Sequence, residues 1–204
     1  MQVKKIINLL KEHKSSKSKS FYLKNPYQKI TKDFKNFLLK YSKDNKNCDL
    51  RICIHENSNS KHHDMLILHH KKNYYPPHLH KDFGDTYVLH TGKMGVFLFN
   101  KNGTIKYSAI INKNEMFKIP VNSFHAILPL TRKIIFFEFR TGPFNSKSKS
   151  ILPKWAPSPK APTKEINYYK KKLFLCLNIN NDVIIKKFKK NNKQLNNVNK
   201  ISKP

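Results

Sequence analysis

Cysteine, arginine, acidic residues and long apolar runs are all scarce in this 204-residue chain, and each scarcity removes a class of explanation. Cys48, Cys53 and Cys176 are odd in number, widely spaced and without a CxxC pair, so neither a disulfide framework nor a thiolate zinc site is expected. No run of about 18 consecutive apolar residues is present, which excludes a transmembrane helix from the expectations. The Met1–Leu10 stretch is too short, and too quickly followed by Lys and Ser, to read as a secretory signal. The expected location is the cytoplasm. Only 12 acidic residues face 41 basic ones, for a net charge of +29. A charge of that sign attracts phosphate non-specifically. However, only three of the 41 are arginine (Arg51, Arg132 and Arg140), and the lysines travel with 23 asparagines, a skew that A/T-rich codon usage alone produces. Arginine is the side chain that reads bases and phosphates through two parallel bonds, so no specific nucleic-acid partner is expected.

The chain divides by texture. Residues 1–48 read as a Lys-rich arm, solvated and loosely helical or disordered over the first 20, followed by a short amphipathic helix over about 30–42 in which Ile30, Phe34, Phe37, Leu38 and Tyr41 share a face. Residues 49–145 change to short runs of β-branched and aromatic residues between polar turns, the pattern of an antiparallel sandwich or barrel. Strands are expected near Leu50–Ile54, Asp64–His69, Tyr74–Leu79, Thr86–His90, Val96–Asn100, Ile105–Ile111, Glu115–Ile119, Ala126–Leu130 and Lys133–Arg140. Asn100-Lys101-Asn102-Gly103 supplies the positive φ of a tight hairpin. Residues 146–163 hold Pro153, Pro157, Pro159 and Pro162 around the sole tryptophan, Trp155, and should run extended over the barrel surface. Residues 164–204 form a basic Lys/Asn-rich tail. It has room for one more helix or strand pair before about 190 and reads as disordered from Lys186 onward.

Chemistry concentrates in Pro76-Pro77-His78-Leu79-His80-Lys81-Asp82-Phe83-Gly84-Asp85. Two residues apart on a strand, His78 and His80 project from one face and can share an ion. Asp85 can return to it from the next strand, and His125 follows a turn at Pro120–Phe124. Three imidazoles and a carboxylate suit a first-row divalent metal such as Fe, Mn, Ni or Zn, with open positions for water or substrate. His62, His63, His69, His70 and His90 lack such a frame and read as solvated or packing residues.

The spacing H-x-H, four residues, acid, six residues, Gly92, then Pro120-x-x-x-x-His125 resembles the two motifs of the cupin superfamily. Asp85 stands where Glu is usual and Asn122 where Gly is usual. The shorter acid reaches a metal less easily, so Asp85 as direct ligand and Asp85 as a group orienting a ligand both stay open. More closely, the chain resembles the WbuC family of cupin-fold metalloproteins over about Leu50 to Pro157. The features that match are Arg51 with His55, Pro77-His78-Leu79-His80, Gly92 before Val96–Phe99, Asn102-Gly103, Phe124-His125, Glu138-Phe139-Arg140, Gly142-Pro143-Phe144 and Trp155-Ala156-Pro157. That resemblance implies a single jelly-roll (double-stranded β-helix) cupin barrel; joined to the residue reading of the two ends, which lie outside it, the expected fold class is all-β, with a short helical N-terminal extension and a basic, partly disordered C-terminal tail. It implies metal ligation by His78, His80, Asp85 and His125, and a context of surface polysaccharide, including O-antigen. A homodimer is consistent with it.

Glu138 lies on a strand face with Ile134, Phe136 and Arg140, where it can serve as a general acid/base or pair with Arg140 at the rim. His55 and Arg51, four apart on one strand face, can hold an anionic substrate or play a structural part. Tyr87 reads as barrel filling beside the substrate. The expected function is that of a metal-binding cupin acting on a carbohydrate or sugar-nucleotide as isomerase, epimerase or lyase. Glu138 or His55 would move the proton, and Arg51, Tyr87 and Arg140 would contact substrate. The alternatives are a non-catalytic sugar- or metal-binding module and, behind it, a basic nucleic-acid-associated protein.

Overall fold

The structure is a computed structural model that describes residues 2–14, 16, 18–25, 27–144 and 150–177. In chain order its elements are α1 (Gln2–Asn8), β1 (Leu10–Glu12), β2 (Lys19–Leu23), α2 (Lys32–Asp44), β3 (Leu50–Cys53), β4 (His62–His70), β5 (Asp85–Thr91), β6 (Met94–Phe99), β7 (Ile105–Ile111), β8 (Met116–Lys118), β9 (Phe124–Pro129) and β10 (Lys133–Thr141). A further helix, α3, covers residues 163–177.

The strands form a seven-stranded sheet, β1-β2-β3-β4-β10-β5-β8, and a three-stranded sheet, β7-β6-β9. An antiparallel bridge from His78 to His125 adds a fourth position outside β9. The chain alternates between sheets: β4 in the large one, His78 in the small one, β5 large, β6 small with its hairpin partner β7, β8 large, β9 small, β10 large. This alternation sets β4-β10-β5-β8 against His78-β9-β6-β7, the strand order of a jelly roll. The expected fold class is therefore present, extended at one edge by β3, β2 and β1.

Apolar side chains sort into three layers that fix this arrangement. Phe34, Phe37 and Leu38 of α2 cover Leu50, Ile52, Leu66 and Leu68 on the outer face of the large sheet. Met65, Ile67, Leu89 and Phe136 meet Met94, Val96 and Ile127 between the sheets. On the outer face of the small sheet, Phe97, Phe99 and Leu128 are covered by Leu173 and Leu177 of α3, with Trp155 beside them. Burial on both faces explains why Met65–Leu68 and Met94–Phe97 read as continuous apolar runs instead of alternating. At the hairpin, Gly103 has φ 88°, and a Cβ there would lie 2.7 Å from the Trp155 ring, so turn and tryptophan require the same residue.

Two expectations differ from the structure. The first 20 residues contribute α1, β1 and part of β2, and β2 pairs in parallel with β3. The Lys/Ser texture hides a short apolar signal, Phe21 and Leu23, which packs under α2 while Ser20 is wholly buried. The expected strand at Tyr74–Leu79 is reduced to single bridges at His78 and Leu79, because Pro76-Pro77 cannot donate to a ladder. The expected helix over 30–42 appears as α2, with Thr31 capping it by accepting from the Asp33 amide. The expected disorder beyond Lys186 lies outside the described residues. Among those described, no helix is long and apolar enough to cross a membrane.

Candidate metal centre

Four side chains converge at one end of the sandwich. His78 and His125 face each other across the bridge and exchange both backbone bonds, His78 N–H to His125 O at 2.9 Å and His125 N–H to His78 O at 2.8 Å. Their rings consequently lie on one face, centroids 4.3 Å apart. His80 is tied by the Asn122 amide, which donates to its carbonyl at 3.0 Å. Asn122 has φ 57°, the left-handed conformation for which the usual residue is glycine and which asparagine tolerates best among the others. Asp85 opens β5 and is 2% exposed; its carbonyl accepts from the Ile119 amide at 2.7 Å. One ligand atom from each of His78, His80, Asp85 and His125 lies within 4.8 Å of the others.

The polar atoms of this group are arranged for a cation. The Nδ1 atoms of His78 and His125 donate to the carbonyls of Pro76 (3.1 Å) and Ser123 (2.9 Å), which leaves each Nε2 with its lone pair. His125 Nε2 lies 3.1 Å from Asp85 Oδ2 without hydrogen-bond alignment, and His80 Nε2 lies 3.6 Å from the same oxygen. His80 Nδ1, Asp85 Oδ1 and His125 Nε2 are buried without a hydrogen-bond partner among the described residues. Burying such atoms unpaired is costly, and a shared positive ion removes the cost. Burial, with the neighbouring imidazoles, lowers His78 to about 3; burial lowers His80 to about 4, so both rings are neutral and able to ligate near neutral pH. Burial pushes the Asp85 carboxyl up, but His125, and His80 behind it, more than offset that and hold it below its ordinary range. Three imidazole nitrogens and a carboxylate oxygen fit a divalent first-row ion.

The other residues singled out from sequence lie around this group at different removes. Tyr87 is buried on β5, its hydroxyl donating to Asp85 Oδ2 at 3.5 Å. Glu138 and Arg140 are the cross-strand partners of Tyr87 and Asp85, which places both on the inner face of the large sheet. Burial, with the Asp85 charge, raises Glu138 to about 7. Arg140 stays 3.9 Å from Glu138, its guanidinium held 5.2 Å from the Phe83 ring centre and 5.3 Å from that of Phe144. Arg51 is engaged by Ser16 and Ser20, at 3.1 and 3.4 Å. His55 stacks on His63 with centroids 4.1 Å apart and places Nδ1 3.1 Å from the Asp64 carbonyl; burial lowers it to about 4.

Two supporting residues escaped the sequence reading. Phe83 stacks on His80, centroids 4.3 Å apart, and carries Arg140 on its ring. A Cβ on Gly84 would collide with the Ile119 carbonyl, so the loop delivering Asp85 closes only with glycine there. The HxH frame drew attention to charged groups, while these two act through contact alone.

A second His/Asp group lies at the opposite end of β4. His70 Nδ1 is 3.0 Å from Asp49 Oδ1, and its Nε2 is 3.4 Å from Ser42 Oγ, the order of a charge relay. It is not built for attack: Ser42 is 2% exposed and its hydroxyl donates to the Cys48 carbonyl at 2.7 Å. Asp49 also accepts from Tyr75 OH and Asn73 Nδ2, both at 2.7 Å, and from the His70 amide at 2.9 Å. This group fastens the end of α2 to the sheet.

Comparisons with known proteins match this chain over part of its length. The sequence matches a family described as a domain of unknown function, DUF6016, over residues 37–111. No curated protein matches it. Among solved structures, the oxalate decarboxylase of Lactobacillus farciminis in its formate complex is similar over 46% of this chain and 27% of its own, at 16% identity and TM-score 0.39. A recombinant oxalate oxidase in complex with glycolate is similar over 45% and 46%, at 13% identity and TM-score 0.38. Procruciferin, the 11S globulin of Brassica napus, is similar over 41% and 21%, at 13% identity and TM-score 0.37. This chain thus spans less than half the length of each of these proteins.

Proposed function

We propose that this protein is a metal-dependent cupin of the WbuC kind, acting on a carbohydrate or sugar-nucleotide in surface polysaccharide metabolism as an isomerase, epimerase or related lyase. The observation that carries the metal half of this reading is the convergence of His78, His80, Asp85 and His125 with three of their polar atoms buried and unpartnered. The polysaccharide half rests on the resemblance across Arg51, His55, Pro77–His80, Glu138–Arg140 and Trp155–Pro157. The same proposal includes a cytoplasmic location and a homodimeric assembly.

A bound divalent ion supplies Lewis-acid polarisation of a substrate carbonyl or hydroxyl oxygen. Glu138 is the better placed of the two proton-moving candidates, since it shares the inner face with Asp85 and burial raises it towards neutrality. His55 is the second candidate, a neutral imidazole beside His63. Arg140 has Asp85 as its cross-strand partner yet makes no ion pair with it, and its only ion pair among the described residues is the long one to Glu138, so it keeps donors for an anionic part of a substrate. Tyr87 orients Asp85, and Arg51 closes the rim through Ser16 and Ser20.

Metal analysis of protein purified without added metal tests the reading. A stoichiometric first-row ion in the wild type, lost in His78→Ala and His125→Ala, is the expected result. Metal-free wild type that takes up none on titration, or variants with unchanged content, would sink it. The alternative of a non-catalytic binding module is favoured by one observation: two cavities, about 580 and 230 Å³, lie away from the cluster. Metal-loaded protein that binds a sugar-nucleotide without turning it over would select that alternative.

A further inference from the structure

The larger of those cavities is a cleft of about 580 Å³ between the C-terminal half of α2 and the ends of β4 and β10. Seven residue steps along β10 separate Lys133 in its wall from Arg140 near the candidate metal ligands, about 23 Å along a strand. We propose that this cleft is a second binding site, for a small phosphorylated metabolite of the nucleoside diphosphate class.

Four cations enter its wall: Lys40 and Lys43 from α2, Arg132 from the turn before β10, and Lys133 from β10 itself. A solvated helix face would gather lysines from one element, whereas these come from three. The only acid in the wall is Asp44, and Lys40 engages it at 2.9 Å. Asp49, nearby, already accepts four hydrogen bonds from Tyr75, Asn73 and His70, so its charge is screened from the cleft by donors of its own. Among the described residues, Lys43, Arg132 and Lys133 therefore line one cleft without an ion-pair partner.

Acceptors at the end of α2 are likewise engaged. The Asn45 amide donates to the Tyr41 and Ser42 carbonyls, the Asn47 amide to the Ser42 carbonyl, and the Ser42 hydroxyl to the Cys48 carbonyl. The wall also carries Asn36 and Asn47, whose side-chain amides can donate to an anion beside the cations. Three uncommitted cations match the charge of a diphosphate. Leu39 and the lysine stems supply apolar wall for a sugar or base, and the volume lies within the usual range for metabolite sites, roughly 300–1,000 Å³. Arg132 adds a compositional point. Arginine is nearly absent from the chain, and the other two, Arg51 and Arg140, stand on the inner side of the large sheet near the candidate centre.

Calorimetric titration of the full-length protein with ADP and with inorganic pyrophosphate, using adenosine as the uncharged arm, tests the proposal. One saturable site per chain for both phosphates, with none for adenosine, is expected. The double variant Lys43→Ala/Arg132→Ala, exposed enough to leave the fold intact, should weaken ADP at least about tenfold, equivalent to 1.4 kcal/mol. Removing two distant surface charges, Lys101→Gln/Lys118→Gln, should change it less than about twofold. His78→Ala should leave ADP binding unchanged, which keeps this site's fate separate from that of the metal centre. Three outcomes overturn the proposal: no saturable binding, equal affinity in the Lys43/Arg132 variant, or equal weakening by the Lys101/Lys118 control, which would mark charge-driven association only.

Discussion

The two ends of β4 carry similar ingredients in opposite states. At one end Asp49 and His70 sit with Tyr75, Asn73 and Ser42, and both carboxylate oxygens of the aspartate have partners. At the other, Asp85 sits among His78, His80 and His125, and three buried atoms have none. Residue type does not separate a fastening from a candidate ligand site here. What separates them is bonding capacity left over after folding. A saturated carboxylate stabilises the chain, while an unsaturated one costs stability until an ion arrives.

Substitution at each end should break this symmetry in opposite directions. The largest effect is expected from His125→Ala, which should abolish stoichiometric metal in elemental analysis while shifting the urea midpoint of chelated protein little or upward. Asp49→Asn should do the reverse: metal content unchanged, stability lower by about 3 kcal/mol in urea unfolding, since its amide cannot accept from all four donors. Asp85→Asn belongs between them, weakening metal about ten- to a hundredfold in competition with a chelator.

Acidity should sharpen the same contrast. His55, His69 and His80 are lowered to about 4 and His78 to about 3, in each case chiefly by burial, from an ordinary 6.5. Their folded values lie below the unfolded one, so the unfolded chain binds more protons as pH falls. Chelated protein should keep full stability above about pH 6.5 and lose it progressively towards pH 4. Glu138, raised to about 7, works against that trend, but as one group against four. A urea midpoint that stays flat between pH 7 and pH 4 would contradict these burials. The smallest effect is expected away from both ends: Trp155→Phe removes the indole N–H bond to the Lys101 carbonyl (3.0 Å) and should cost about 1 kcal/mol, with metal content unaltered.

Most of the barrel was legible because its strands carry their own punctuation. Asn102-Gly103 marks a hairpin, and the HxH pair joined to Asp85 and His125 marks, through spacing, strand geometry and resemblance together, a cluster that the fold does bring together. What escaped was decided by contacts distant in sequence. Ser20 and Phe21 become strand only because β3 offers an edge and α2 a cover. Tyr74–Leu79 has strand composition, but two prolines leave it only the bridges that fix His78 and Leu79. Gly84 and Phe83 matter through what stands opposite them, Ile119 and Arg140, and no local pattern announces that. The difference between Asp49 and Asp85 is of the same kind. Each acid meets its histidines only through folding or a turn, His70 lying 21 residues from Asp49, and only the packed structure says which one is already satisfied.

The paired backbone bonds between His78 and His125 bear on rates as well as on geometry. Both rings ride on main chain that folding has already immobilised, so under the proposed function neither of these two has to be ordered for an ion to enter. Capture should therefore proceed at a speed set by the ion's arrival and the shedding of its water. Release should wait on rupture of ligand bonds, and not on fraying of the strand that carries them.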